Sequence, residues 1–237
     1  MNRLPGKTQL DQLYQAGYHK LIDGSSYEAD AAKKFSAMKP YLEPGINLLD
    51  YGCGEGYFSN LARNIGCRVW GYDVSYAAAK AAQNKFGILV KTQEARPELF
   101  STGQFDVIVA FDVIEHIVNF KRVLKWWSKW LMPEGYLFIT TPDLDSWDAK
   151  LLGERWYGFR KAVNYEHVNY FNRRSIRETL EQTGFIVEKI QTWGFVRSVD
   201  YLLGQLLKTR VSLLPWQIYI PMTDMMVVAR KAFGQLK

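Results

Sequence analysis

The chain has 237 residues, 48% of them hydrophobic and 23% charged, enough for one sizeable core with no second domain required. Thirty Lys and Arg against 24 Asp and Glu give a formal net charge of +6. The cations are scattered, and their densest groups, Lys121-Arg122-Lys125 and Arg173-Arg174-Arg177, fall on predicted helices as solvated faces, so no nucleic-acid partner is expected. No apolar run approaches the roughly 18 residues of a spanning helix, and no basic start with an apolar core reads as a signal peptide; the expectation is a cytoplasmic protein. Its two cysteines, Cys53 and Cys67, show neither metal-ligand spacing nor a disulfide framework.

Two N-terminal helices are predicted, about Thr8 to Ile22 and Tyr27 to Tyr41. The apolar run Ile46 to Leu49 then suits a strand buried on both faces, ending in Asp50 and the turn Gly52-Cys53-Gly54-Glu55-Gly56. Alternate glycines let the backbone bend with φ > 0 and approach a ligand closely. Tyr57 to Ile65 has helical spacing, with Phe58, Leu61, Ala62 and Ile65 on one face. Strand, glycine turn and helix make a nucleotide-binding corner. A dinucleotide fingerprint needs a small residue at its sixth position, where Tyr57 stands, and a phosphate-binding loop would need Gly-Lys-Ser/Thr, which is missing. The second strand, Val69 to Tyr72, delivers Asp73 at its carboxyl end, a position that reaches ribose hydroxyls in Rossmann-like sheets.

A third strand, Ile88 to Lys91, leads to Gln93 and Glu94, and a fourth, Phe105 to Phe111, leads to Asp112-Val113-Ile114-Glu115-His116-Ile117. The helix from about Asn119 to Leu131 turns Val123, Leu124, Trp127 and Leu131 inward with Trp126 and Trp130 beside them. Leu131 to Pro142 reads as helix end, Pro/Gly turn and fifth strand. Asn172 or Ser175 caps a later helix ending at Gly184; Phe185 to Ile190 and Met225 to Arg230 are the last strands.

The pattern Asp-x-Gly-x-Gly-x-Gly over Asp50 to Gly56, followed in order by Asp73, the Asp112 to His116 segment and Leu131 to Pro142, resembles class I S-adenosylmethionine-dependent methyltransferases. Glu166-His167-Val168-Asn169-Tyr170-Phe171, then a helix and Gly184-Phe185, is similar to the branch that includes ubiquinone-biosynthesis O-methyltransferases and enzymes of polysaccharide and secondary-metabolite clusters. The resemblance implies an α/β fold with a Rossmann-like seven-stranded, mostly parallel sheet, an antiparallel last strand, and helices on both faces, as one domain over residues 1–237. It implies S-adenosyl-L-methionine as cofactor, with contacts from Asp50, Gly52, Cys53, Gly54, Asp73, Val74, Gln93, Glu94, Phe111 and Asp112. Many relatives place an aspartate after the third strand for the adenine amino group, where Gln93 and Glu94 stand here. In some ubiquinone-pathway relatives the group matching Asp112, Glu115 and His116 binds a divalent cation; relatives without a metal share the motif, so no metal ligand is assigned.

Two long connections beyond the strands' carboxyl ends are where the methyl acceptor is expected. Asp143 to Phe171 carries Trp147, Trp156, Tyr157, Phe159, Tyr165 and Tyr170, a lid suited to a small-molecule or lipid-linked acceptor, with a hydroxyl as the expected site of methylation. Its His167 is the candidate catalytic base, oriented by Glu166 or Asp143; the alternative is a histidine that bonds loop backbone or shapes the pocket. Phe195 to Thr223 carries Val199, Leu202, Leu203, Leu206 and Leu207 at helical spacing, with Arg197, Lys208, Arg210 and Trp216 nearby. That helix either packs on the sheet, covers the site or makes a homodimer contact, or else gives a peripheral membrane contact through 196–216. An RNA or protein methyltransferase, a non-catalytic partner subunit and a nicotinamide-dependent oxidoreductase are the competing readings, the last opposed by Tyr57.

Overall fold

The structure is a computed structural model that describes residues 24–156, 159, 167–194, 196–198, 219–221 and 224–233. Its elements in chain order are α1 (Gly24–Met38), β1 (Asn47–Tyr51), α2 (Tyr57–Asn64), β2 (Arg68–Tyr72), α3 (Tyr76–Phe86), β3 (Val90–Lys91) and β4 (Phe105–Phe111). There follow α4 (Phe120–Trp130), β5 (Leu131–Pro142), α5 (Trp147–Leu152), α6 (Arg173–Gln182), β6 (Phe185–Trp193), β7 (Val196–Ser198), β8 (Tyr219–Pro221) and β9 (Asp224–Lys231).

Seven strands form one sheet in the order β3-β2-β1-β4-β5-β9-β6. β1 pairs in parallel with β2 and β4, and β9 lies antiparallel between β5 and β6. The expected Rossmann-like arrangement with an antiparallel last strand is therefore present. Chain direction across the sheet reverses between β1 and β4, and a ligand crevice opens at such a switch point beyond the strands' carboxyl ends.

The apolar runs of β1, β4, β5 and β9 arise because both sheet faces are covered. Leu49, Ile108, Leu137, Ile139 and Val227 face a core closed by Leu124 and Trp127 of α4 and Ile176 and Leu180 of α6. Leu48, Val107, Val109, Phe138 and Val228 face a second core closed by Ala31 and Met38 of α1 and Phe58 and Ala62 of α2. Successive residues alternate between these cores, as the two-residue period of a strand requires. Phe105 joins Ile108 and Ala110 in the first core despite its odd spacing, because the β4–β5 register shifts between Phe105 and Val107.

Several boundaries differ from the sequence reading. The fifth strand begins at Leu131, which pairs with Phe105 before the Met132 to Gly135 segment bulges out through Glu134 at φ 64°. The third strand shortens to Val90 and Lys91. Among the described residues the second predicted helix spans Gly24–Met38 and closes with a 3-10 turn at Lys39–Tyr41. Asn172 does cap α6, in a box where its side chain accepts from the Ser175 N–H and Ser175 Oγ accepts from the Asn172 N–H. The predicted Thr8 to Ile22 helix and the Val199 to Leu207 helix lie outside the described residues; β7 and β8, which flank the latter, form a two-stranded antiparallel ribbon. No described helix is long and apolar enough to cross a membrane.

Candidate active site

At the switch point the glycine turn is drawn across the end of β2: the N–H groups of Gly52 and Cys53 both donate to the Tyr72 carbonyl, at 2.7 and 3.1 Å. Gly52 has φ 86°, and a Cβ there would lie 2.3 Å from Val113 Cγ2. Gly54, at φ 52°, donates its N–H to Asp73 Oδ2 at 2.8 Å, and a Cβ on it would meet no atom within 4 Å. Bare backbone therefore lines this side of the crevice. Asp73 is buried and fixed, since its Oδ1 also accepts from the Ser75 N–H at 2.8 Å and Ser75 then caps α3. Asp50 is buried below the turn and accepts from Ser59 Oγ at 2.7 Å. Burial pushes its carboxyl up to about 7; Asp73's charge adds to the rise, while the Ser59 hydrogen bond and Lys34 oppose it. Cys53 is a buried free thiol that burial pushes well above its ordinary value, consistent with packing against Gly71 and not with reactivity. Val74 is exposed beside Asp73, Gln93 and Glu94 are exposed after β3, and half-buried Phe111 packs edge-on to Phe58 at 4.9 Å.

Asp112 ends β4 in the left-handed region, φ 56°, a conformation that costs a non-glycine residue about 1 kcal/mol or more. The turn aims its carboxylate back at Thr140 Oγ1, which donates to Oδ1 at 2.8 Å, and at Lys34 Nζ, which donates to Oδ2 at 2.7 Å. Lys34 comes from α1 and is only 8% exposed, whereas 46% of the Asp112 side chain stays open: the cation is buried and the carboxylate is half open beyond the end of β4. Burial would lower the Lys34 ammonium, but Asp112 and Asp30 outweigh it and hold the group above its ordinary value. Burial likewise acts to raise Asp112, and the charge and hydrogen bond of Lys34 with Thr140 and His116 bring it below. Lys34→Met should lower the unfolding free energy by about 2 kcal/mol, less than for a fully enclosed pair because Asp112 keeps solvent; urea unfolding at neutral pH measures it.

After Asp112 the chain makes a 3-10 turn, Ile114–His116, with Glu115 buried. Thr141 Oγ1 donates to Glu115 Oε2 at 3.0 Å, while Oε1 is buried with no hydrogen-bond partner. Burial and then the Asp112 charge push this carboxyl well above its ordinary value. The N–H groups of Val168 and Asn169 donate to the Glu115 carbonyl at 2.9 and 3.0 Å, and Asn169 Nδ2 donates to the Ile117 carbonyl at 2.7 Å. These bonds bring His167 against His116, ring centroids 4.8 Å apart. The donor atoms of Glu115, His116 and His167 lie within 4.8 Å of one another.

The long connection divides into core and wall. Trp156 and Phe171, expected in the lid, are instead buried: Trp156 Nε1 donates to buried Asp148 at 2.8 Å, and Phe171 packs edge-on to Phe120 at 5.2 Å. Phe159 and Tyr170 stay more than a third exposed with centroids 5.0 Å apart, and Tyr170 stands 6.3 Å from His167. Asp143 does not serve as an orienting group for the histidine in the way expected; its oxygens accept from the Asp145 N–H and from Arg173 Nε, in a cleft with Trp147 and Lys150. Glu166, Tyr157 and Tyr165 lie outside the described residues.

Residues 24–190 match the family described as methyltransferase domain. The chain belongs to that family. A ubiquinone biosynthesis O-methyltransferase of Bartonella tribocorum is 24% identical over 177 residues, 67% of this methyltransferase and 72% of the relative. A ribosomal protein L11 methyltransferase of Thermosipho africanus is 35% identical over 107 residues, 44% of this chain and 40% of its own. Among solved structures, the [4+2]-cyclase SpnF superposes with TM-score 0.67 at 16% identity, covering 97% and 98% of the two chains; that likeness is one of fold. S-adenosyl-L-methionine is the cofactor of the methyltransferase family to which the chain belongs.

In this methyltransferase Asp50, Gly52, Cys53, Gly54, Asp73, Val74, Phe111 and Asp112 fall at or just beyond the carboxyl ends of β1, β2 and β4, with Gln93 and Glu94 on the loop beyond β3. Lys34 is the site residue that sequence reading passed over. Its signal was present: Ala31, Lys34 and Met38, spaced i, i+3, i+7, are the buried face of α1.

Proposed function

We propose that the chain, one domain over residues 1–237, methylates a hydroxyl oxygen of a small or lipid-linked acceptor. The observation that carries this reading is the Glu115, His116 and His167 cluster, set three residues past Asp112 beyond the end of β4. Bound S-adenosylmethionine supplies a methyl group already activated on a sulfonium. The chain's residues suit it: Gly54 leaves backbone alone for close approach, Asp73 would accept a pair of ribose hydroxyls, and Val74, Gln93 and Glu94 are exposed where they would hold the base. At the other end Asp112, oriented by Lys34 and Thr140, leaves part of its carboxylate open to an ammonium.

Methyl transfer to a neutral hydroxyl must also shed a proton, which is why a titratable cluster beside the crevice favours oxygen as acceptor atom. His167 acts there, with Phe159 and Tyr170 as an aromatic wall for the acceptor body. The amphipathic pattern of 196–216 supports a lipid-linked acceptor or a homodimer contact. The test is transfer of labelled methyl to a panel of quinols, sugars and lipid-linked intermediates, with the product bond identified. His167→Ala should lower kcat by about 100-fold or more while S-adenosylhomocysteine binds as before. Label arriving on nitrogen or on protein, or full turnover without His167, would overturn the reading.

A further inference from the structure

We propose that the cleft between Asp143 and Thr192 binds a sugar ring carried by the methyl acceptor, and so selects the substrate class. Its use in the reaction rests on the hydroxyl-acceptor reading. The cleft measures about 390 Å³, within the range of small-molecule sites. Asp143, Asp145, Trp147, Lys150, Arg173 and Thr192 line it, brought together from the end of β5, from α5, from the first residue of α6 and from the end of β6.

The cleft adjoins the residues that would carry out transfer. Thr141, which donates to Glu115, lies two residues before Asp143, roughly 7 Å along an extended chain. Asp143 forms a parallel bridge with Phe171, and the Leu144 N–H donates to the Phe171 carbonyl at 2.9 Å, so the cleft begins beside exposed Tyr170. An acceptor with its reacting hydroxyl near His167 can therefore lay a further ring against α5 and the start of α6.

The lining chemistry is that of a polyol site. Two carboxylates stand with two cations, so the cleft carries no net charge and favours an ion of neither sign, and its polar walls disfavour an alkyl chain. Arg173 is fixed from two sides: Nε donates to Asp143 Oδ2 at 3.2 Å and Nη2 to Thr192 Oγ1 at 2.8 Å, which leaves the Nη1 edge for a ligand. Lys150 Nζ and Asp145 Oδ1 are 3.8 Å apart, too far for a direct hydrogen bond. A hydroxyl about 2.8 Å from each would accept from the ammonium and donate to the carboxylate, as only a group with both capacities can. Trp147 is 40% exposed and offers a flat apolar face to the C–H side of a pyranose, whose hydroxyls then reach the polar rim.

The test is saturation-transfer NMR on the full chain with S-adenosylhomocysteine bound, using the methyl glycosides of glucose, galactose, mannose and rhamnose, with cyclohexanol and inorganic phosphate for comparison. At least one glycoside should bind saturably, and cyclohexanol and phosphate should not. Trp147→Ala should weaken that binding by about 10-fold and Asp145→Asn by about 5-fold, with S-adenosylhomocysteine affinity held within about 3-fold. Both side chains are exposed, and thermal unfolding verifies that the variants fold. Absence of saturable glycoside binding overturns the inference, as does binding that survives both substitutions or a preference for phosphate. Labelled methyl transfer separates the two ideas. Glycoside binding in the cleft with label arriving on nitrogen sinks the hydroxyl reading alone, whereas transfer to a quinol hydroxyl with no glycoside binding sinks the cleft alone.

Discussion

Asp73→Asn should weaken S-adenosylhomocysteine binding by about 100-fold in a calorimetric titration. The carboxylate is buried, and each oxygen already accepts one backbone N–H, from Gly54 and from Ser75, at 2.8 Å. An ionised carboxylate has about four acceptor positions, so it can serve those donors and a pair of vicinal hydroxyls together. Each hydrogen bond to a charged acceptor contributes about 1.5–3 kcal/mol, and losing the equivalent of two gives about 3 kcal/mol or more, which is the 100-fold factor. Asparagine also brings an amide N–H₂ toward one of two backbone donors, so a smaller loss of about 1 kcal/mol in folding stability should accompany it. The two effects are separable, because urea unfolding without ligand reads only the second. An affinity unchanged within about 3-fold would remove Asp73 from the cofactor site and leave it as a structural cap on the glycine turn.

How much of this could be read from the chain depends on the range of the interaction. The glycine turn, Asp73 and the α6 cap are local: their meaning lies in spacings of a few residues, and each stands where the sequence placed it. The antiparallel last strand was reached through the family resemblance, since periodicity gives strands without their neighbours. Lys34 was missed because its partner Asp112 is 78 residues away and the pairing exists only when α1 lies across the sheet. A positive φ at Asp112 separates it from the 3-10 turn that carries Glu115 and His116, and His167 is brought beside His116 through backbone bonds to the Glu115 carbonyl, which no side-chain pattern records. Trp156 and Phe171 looked like lid residues for their aromatic neighbours, and are core because Asp148 and Phe120 stand behind them.

Asp50 sets a pH dependence whose direction follows from its raised carboxyl. In the unfolded chain an aspartate titrates near 3.9, whereas burial holds Asp50 at about 7 in the fold. Between those values the folded state keeps a proton that the unfolded state has released, so folding stability attributable to this group falls as pH rises from about 4 to 7 and is level above. A shift of about three units corresponds to about 4 kcal/mol. Other carboxylates, Asp112 among them, have the opposite slope, so the effect is isolated by comparison with Asp50→Asn, which keeps an acceptor for Ser59 Oγ and carries no charge. The variant and the parent should be nearly equal in urea unfolding at pH 4.5, and the variant should be more stable by about 3–4 kcal/mol at pH 8. A difference independent of pH would place the proton elsewhere. The same carboxyl should report on the ligand, because a cationic cofactor favours its ionised form. Calorimetric binding of S-adenosylmethionine near pH 6.5, measured in buffers of different ionisation enthalpy, should therefore show proton release in the parent and less in Asp50→Asn.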